Sequence, residues 1–127
     1  EACSEKVWLK SGGFLVIQQT DAFVAVDVNS GKYSSKKQPQ EIYKKINLEA
    51  ADALVRQLRL RNLSGMILVD FINMKNQKDQ EELLAHLRTL AANDPIETVV
   101  IDMTPLGIVE ITRKKTRKPL AEQIGIL

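Results

Sequence analysis

Two stretches decide the fold: AFVAVDVNS at residues 22–30 and GMILVDFIN at residues 65–73. Each is an apolar run closed by an aspartate, Asp27 in the first and Asp70 in the second. Short apolar runs of this kind read as buried strands. Each carboxylate then stands where a strand leaves its sheet, and in α/β folds that rim is where ligands bind. Between the runs, Glu41 to Arg61 reads as a long helix with apolar residues on more than one side, so it touches the body of the protein broadly. Strand, crossover helix and strand usually give two parallel strands, which brings both aspartates to the same edge. Two carboxylates side by side repel unless a cation or a shared proton lies between them. A hard divalent cation doing phosphate chemistry is what the pairing suggests. The plainer alternative is two polar residues that merely end strands.

Working outward, Val7 to Leu9 is a short apolar segment and Ser11-Gly12-Gly13 a turn signal. Phe14 to Ile17 reads as a strand that turns at Thr20-Asp21 into the run ending at Asp27. The link is too short for a crossover helix, so this pair is antiparallel. Asn29 to Pro39 reads as a polar surface loop. Asn62 to Gly65 ends the long helix, with Gly65 suited to positive φ. Downstream, Lys78 to Ala92 carries the stripe Leu83, Leu84, Leu87, Leu90 and Ala91 of a second helix, stopped by Asn93-Asp94-Pro95. Thr98 to Met103 and Ile108 to Ile111 complete the strands. The expected fold class is α/β, a mixed β-sheet with helices packed on it.

A chain of 127 residues is enough for one domain with a core, and a formal charge of +2 does not announce a nucleic-acid binder. Local charge says more. Arg113-Lys114-Lys115-Thr116-Arg117-Lys118 is basic at every position but Thr116, and Lys32, Lys36 and Lys37 follow Asp27 closely. Both clusters are candidate phosphate contacts, which would grip a backbone rather than read sequence. The bland reading of each is a solvated edge. A single cysteine, Cys3, allows no internal disulfide and no CxxC zinc pattern, which fits a reducing, cytoplasmic setting. No apolar stretch approaches the roughly 18 residues that cross a bilayer, no signal peptide is visible, and no membrane partner is expected. The lone histidine, His86, excludes a histidine acid–base pair and reads as a helix flank. Trp8 could stack on a base, although packing near the first strand is the simpler reading. Asp102 reads as an exposed or capping acid.

Five blocks resemble the ribonuclease E/G family of bacterial endoribonucleases: SGGFLVI (Ser11 to Ile17), AVDVNSGK (Ala25 to Lys32), NLEAADALVRQLRLRNLSG (Asn47 to Gly65), ILVDFINM (Ile67 to Met74) and LGIVEITRKK (Leu106 to Lys115). They stand in the family's order and run over nearly the whole chain. The resemblance implies a single metal-bearing catalytic subdomain over residues 1–127, which the family likens to a DNase I fold. The family's S1-type RNA-binding domain, 5′-sensor and zinc-link would lie outside it. It further implies that Asp27 and Asp70 hold Mg²⁺, with Mn²⁺ able to substitute, and that Asn29 orients the carboxylates or the scissile phosphate. The implied reaction is hydrolysis of single-stranded RNA to 5′-phosphate and 3′-hydroxyl ends during RNA processing and decay, by a protein that forms homo-oligomers at full length. The isolated subdomain would be weakly active or inactive.

Two rivals remain. A non-catalytic RNA-binding fragment would keep the basic run and need no metal. A receiver-like phosphoacceptor domain would use Asp70 as its acceptor, but the opening antiparallel strands do not suit it.

Overall fold

The computed structural model describes residues 3–31 and 40–116. The element order is β1 (Cys3–Trp8), β2 (Phe14–Gln19), β3 (Val24–Asn29), α1 (Gln40–Leu60), β4 (Gly65–Asp70), α2 (Gln77–Ala92), β5 (Thr98–Met103) and β6 (Ile108–Arg113). Six strands form one sheet in the order β1-β2-β3-β4-β6-β5. The mixed α/β architecture expected from the sequence is present.

The connections follow from loop length. β1, β2 and β3 are antiparallel neighbours joined by tight turns. At the second turn the Thr20 hydroxyl donates to the Phe23 carbonyl at 2.7 Å and accepts from the Phe23 N–H at 3.1 Å. α1 then crosses over, and β4 lies parallel to β3. α2 carries the chain past β4 to the edge strand β5, and β6 returns between them, antiparallel to both. Only β3 and β4 run parallel among the described strands, so this is not the doubly wound parallel sheet of a receiver domain.

Both helices cover one face of the sheet. On that face Leu15, Ile17, Val26, Ile67, Val69, Val109 and Ile111 are buried against Ile46, Leu54, Leu58, Leu83 and Leu87. Burial on more than one side of α1, at Ala50, Ala51, Val55 and Leu58 alike, is explained by its double duty against sheet and α2. α1 ends on Asn62 at φ 49°, with the Leu63 N–H donating to the Leu58 carbonyl at 2.9 Å, so Asn62 takes the left-handed capping position. Gly65 follows at φ 85° and starts β4. Asn76 caps α2 by accepting from the Lys78 N–H at 2.8 Å.

Several strands exceed their expected bounds: β2 runs on to Gln19, and β3 takes in Asn29, the expected start of the polar loop. The apolar segment near Val7 belongs to a longer strand, because an edge strand facing solvent needs no apolar alternation to pair. The last strand runs on to Arg113, whose side chain falls on the helix-covered face.

Candidate functional site

Side chains alternate across a strand. The residues between the buried ones therefore point to the face that no helix covers. They include Phe14, Val16 and Gln18 on β2, Ala25, Asp27 and Asn29 on β3, Leu68 and Asp70 on β4, and Ile108 and Glu110 on β6. Of those named, all but Glu110 line one open cavity of about 430 Å³.

Asp27 and Asp70 are register partners on adjacent parallel strands, so their backbones lie about 4.8 Å apart. Both are exposed, and both project from the same face. Partial burial of its carboxyl, then the neighbouring Asp27 charge, pushes Asp70 above the ordinary carboxylate value. Among the described residues, none that lines the cavity carries a basic side chain to relieve that repulsion. Asn29, two residues beyond Asp27, aims its amide at the Asp27 carbonyl at 3.4 Å and at Asp27 Oδ2 at 3.5 Å. Those contacts are long, and they hold the amide beside the carboxylate.

The donor set suits a hard cation. It offers carboxylate oxygens, a nearby amide oxygen and open solvent, and Mg²⁺ favours few protein ligands while keeping several waters. Among the described residues no three acids or histidines cluster as a closed metal cage. A cation bound here would keep coordination positions for water and substrate. Glu110 pairs with Leu68 rather than with Asp70, and stands outside the pair. Asp102 is exposed, and its Oδ1 accepts from the Met103 N–H at 2.8 Å. It lines a separate cavity of about 480 Å³ with Asn73, Gln77 and Leu106.

The basic candidates divide. Lys114 and Lys115 are exposed just past the end of β6. Arg113 is not at the surface: it is 1% exposed. Its Nε donates to Asp94 Oδ2 at 2.8 Å and its Nη2 to Asp94 Oδ1 at 3.2 Å. Its Nη1 donates to Asn62 Oδ1 and to the Leu63 carbonyl, both at 3.1 Å. A guanidinium buried in this way and committed to four such bonds is not presented to a phosphate, so the expectation of RNA contact at Arg113 is corrected. The period-2 pattern Val109, Ile111, Arg113 carried the signal, because it puts Arg113 on the inner face. Lys32, Lys36 and Lys37 lie outside the described residues.

Sequence reasoning also missed Asn47. It is fully buried in α1. Its amide donates to the Ile72 carbonyl at 2.9 Å and accepts from the Ile72 N–H at 3.0 Å. Those two bonds satisfy backbone groups just past Asp70 and fix how the chain leaves β4. A polar residue between Ile46 and Ala50 on an apolar helix side was the available sign. His86 is a helix-flank residue as expected, with Nε2 2.8 Å from Asp52 Oδ1 across the α1–α2 contact. No helix among the described residues is long and apolar enough to cross a membrane.

A profile of the Ribonuclease E/G family matches residues 1–116. Ribonuclease G of Salmonella typhimurium is 43% identical over 117 residues, covering 92% of this chain and 24% of that protein. Ribonuclease G of Escherichia coli is 42% identical over 119 residues, covering 94% of this chain and 24% of that protein. Ribonuclease E of Synechocystis is 40% identical over 125 residues, covering 98% of this chain but 18% of its relative. The chain thus spans about a quarter or less of the length of these curated relatives. With the profile covering nearly every residue and the two aspartates paired on one open sheet face, the chain belongs to the Ribonuclease E/G family.

Proposed function

We propose that this chain is the metal-bearing catalytic subdomain of an endoribonuclease that hydrolyses single-stranded RNA. The observation that carries the reading is the register pairing of Asp27 with Asp70 on the uncovered face. Such a pair carries a repulsion that a bound cation would relieve, and perturbed carboxylates in an open cleft cluster at functional sites.

Asp27 and Asp70 would hold Mg²⁺, or Mn²⁺ in its place. The bound ion supplies a water of lowered pKa and screens charge that develops on the scissile phosphate. The chain's own residues do the rest. The two carboxylates fix the position of the charge against the sheet edge. The Asn29 amide, held beside Asp27, donates to a phosphate oxygen where a third carboxylate would repel it. The open cavity admits an extended single strand. In-line attack by water would leave a 5′-phosphate and a 3′-hydroxyl. Exposed Lys114 and Lys115 would grip flanking backbone in proportion to counterions released. RNA processing and decay, with homo-oligomers of the full-length protein, is the setting that the family suggests.

The test is a Mn²⁺ titration read by water-proton relaxation on the wild type and on Asp27→Asn/Asp70→Asn. Saturable binding that vanishes in the double variant is expected. Equal binding by both proteins, or none by either, would refute the metal site.

A further inference from the structure

The open face carries an aromatic pair that the carboxylates do not use. Trp8, ending β1, is the register partner of Phe14, and Phe14 pairs in turn with Asn29. These three form a row across the sheet. The adjoining row on the same face is Lys6, Val16, Asp27 and Asp70. The Trp8 and Phe14 ring centroids lie 5.0 Å apart at an interplanar angle of 53°. Trp8 is 64% exposed. Phe14 lines the same cavity as Asp27, Asn29 and Asp70. The Lys6 ammonium sits 4.4 Å from the Phe14 centroid and 5.1 Å from that of Trp8.

We propose that Trp8 and Phe14 form a base-stacking platform for the nucleotide next to the scissile phosphate, with Lys6 as its phosphate contact. The proposal rests on the nuclease reading above and assigns the side of the site on which RNA lies. Two carboxylates by themselves repel RNA, so an attractive surface must adjoin them. The diagonal neighbour across a strand pair lies about 7–8 Å away, which sets Phe14 beside Asp27 within the reach of one nucleotide. Its ring meets the cavity on an apolar floor of Val16, Ala25 and Leu68 that offers no side-chain hydrogen bond to a base. Stacking there is tolerant of base identity, because every base has a π-face. The exposed Lys6 contact with the rings is weak enough for an incoming base to displace. The displaced ammonium then stands beside the phosphate of the base that displaced it.

Trp8 is the sole tryptophan, so tryptophan emission, excited selectively over the two tyrosines, reports on this position alone. The chain is titrated with a short single-stranded oligoadenylate in Mg²⁺ buffer, with anisotropy of a labelled oligomer read in parallel. Saturable quenching is expected, together with roughly tenfold weaker binding for Trp8→Ala and for Phe14→Leu, which keeps apolar bulk but cannot stack. Phe14→Tyr should retain the affinity. Lys6→Ala should lower the slope of log affinity against log salt by about 0.7. An abasic oligomer that quenches equally, binding that leaves Trp8 emission unchanged, or no binding at all would overturn the platform. So would quenching that tracks self-association in sedimentation velocity, which would make Trp8 a contact between copies. The Mn²⁺ titration separates the two readings. Metal binding with a silent Trp8 removes the platform alone, and a quenched Trp8 without metal binding removes the nuclease reading.

Discussion

Replacing Arg113 by alanine should unfold this chain far more readily than any change to the lysines beside it. Arg113 and Asp94 have no exposed side-chain area, and the Arg113 guanidinium makes four hydrogen bonds, two to Asp94 and one each to Asn62 and Leu63. Removing the guanidinium strands the Asp94 carboxylate in a dry site and leaves the Leu63 carbonyl short of a partner. Breaking a buried pair from one side costs about 3–5 kcal/mol. Total stability of a domain is about 5–15 kcal/mol, so the loss is a large share of it. The melting temperature should fall by on the order of 10–20 °C. Urea denaturation followed by circular dichroism measures this directly. Asp94→Asn/Arg113→Met should recover part of the loss, because it removes both charges together. Lys114→Ala/Lys115→Ala should stay within about 0.5 kcal/mol of wild type. An Arg113→Ala protein within about 1 kcal/mol of wild type, yet weakened in RNA binding, would refute the structural assignment of this arginine.

The same pair sets an acid limit. Burial pushes the Asp94 carboxyl up, but hydrogen bonds from Arg113, the Ile96 N–H and Thr98, with the Arg113 charge, outweigh it and lower the net pKa below the ordinary 3.8. Its contribution is therefore present above that value and lost as pH falls through the lower folded one, and Asp94→Asn should flatten the acid limb of a stability–pH profile. Asp70 behaves oppositely, since its raised pKa means that the ionised form opposes folding. In EDTA, Asp70→Asn should be slightly more stable than wild type, by a small margin because solvent screens the exposed carboxyl. With Mn²⁺ added, calorimetry should show stabilisation of the wild type alone. Asn47→Ala should cost about 2–4 kcal/mol, because it unpairs both backbone groups of Ile72. It should also weaken Mn²⁺ binding by loosening the exit of β4, and unchanged Mn²⁺ affinity would show that Asn47 does not position Asp70.

The sequence by itself determined the strands after β1, both helices and their order, because apolar periodicity is a local property, whereas the polar β1 (CSEKVW) showed only its apolar end. It also determined that Asp27 and Asp70 share an edge, since a strand, a long helix and a strand have one common solution. The family blocks around these residues made the resemblance legible as well. What only the tertiary structure decided is which face a side chain serves and what meets it there. Arg113 reads as one cation in a basic run until strand alternation turns it inward onto Asp94, nineteen positions back along the chain. Asn47 reads as a helix residue until the exit of β4 comes to lie against it. Trp8 and Phe14 read as two separate aromatics until antiparallel register puts them side by side, next to Asn29. In each case the partner is remote in sequence, and pairing between remote groups is fixed by how the sheet closes and the helices pack, which no local pattern encodes.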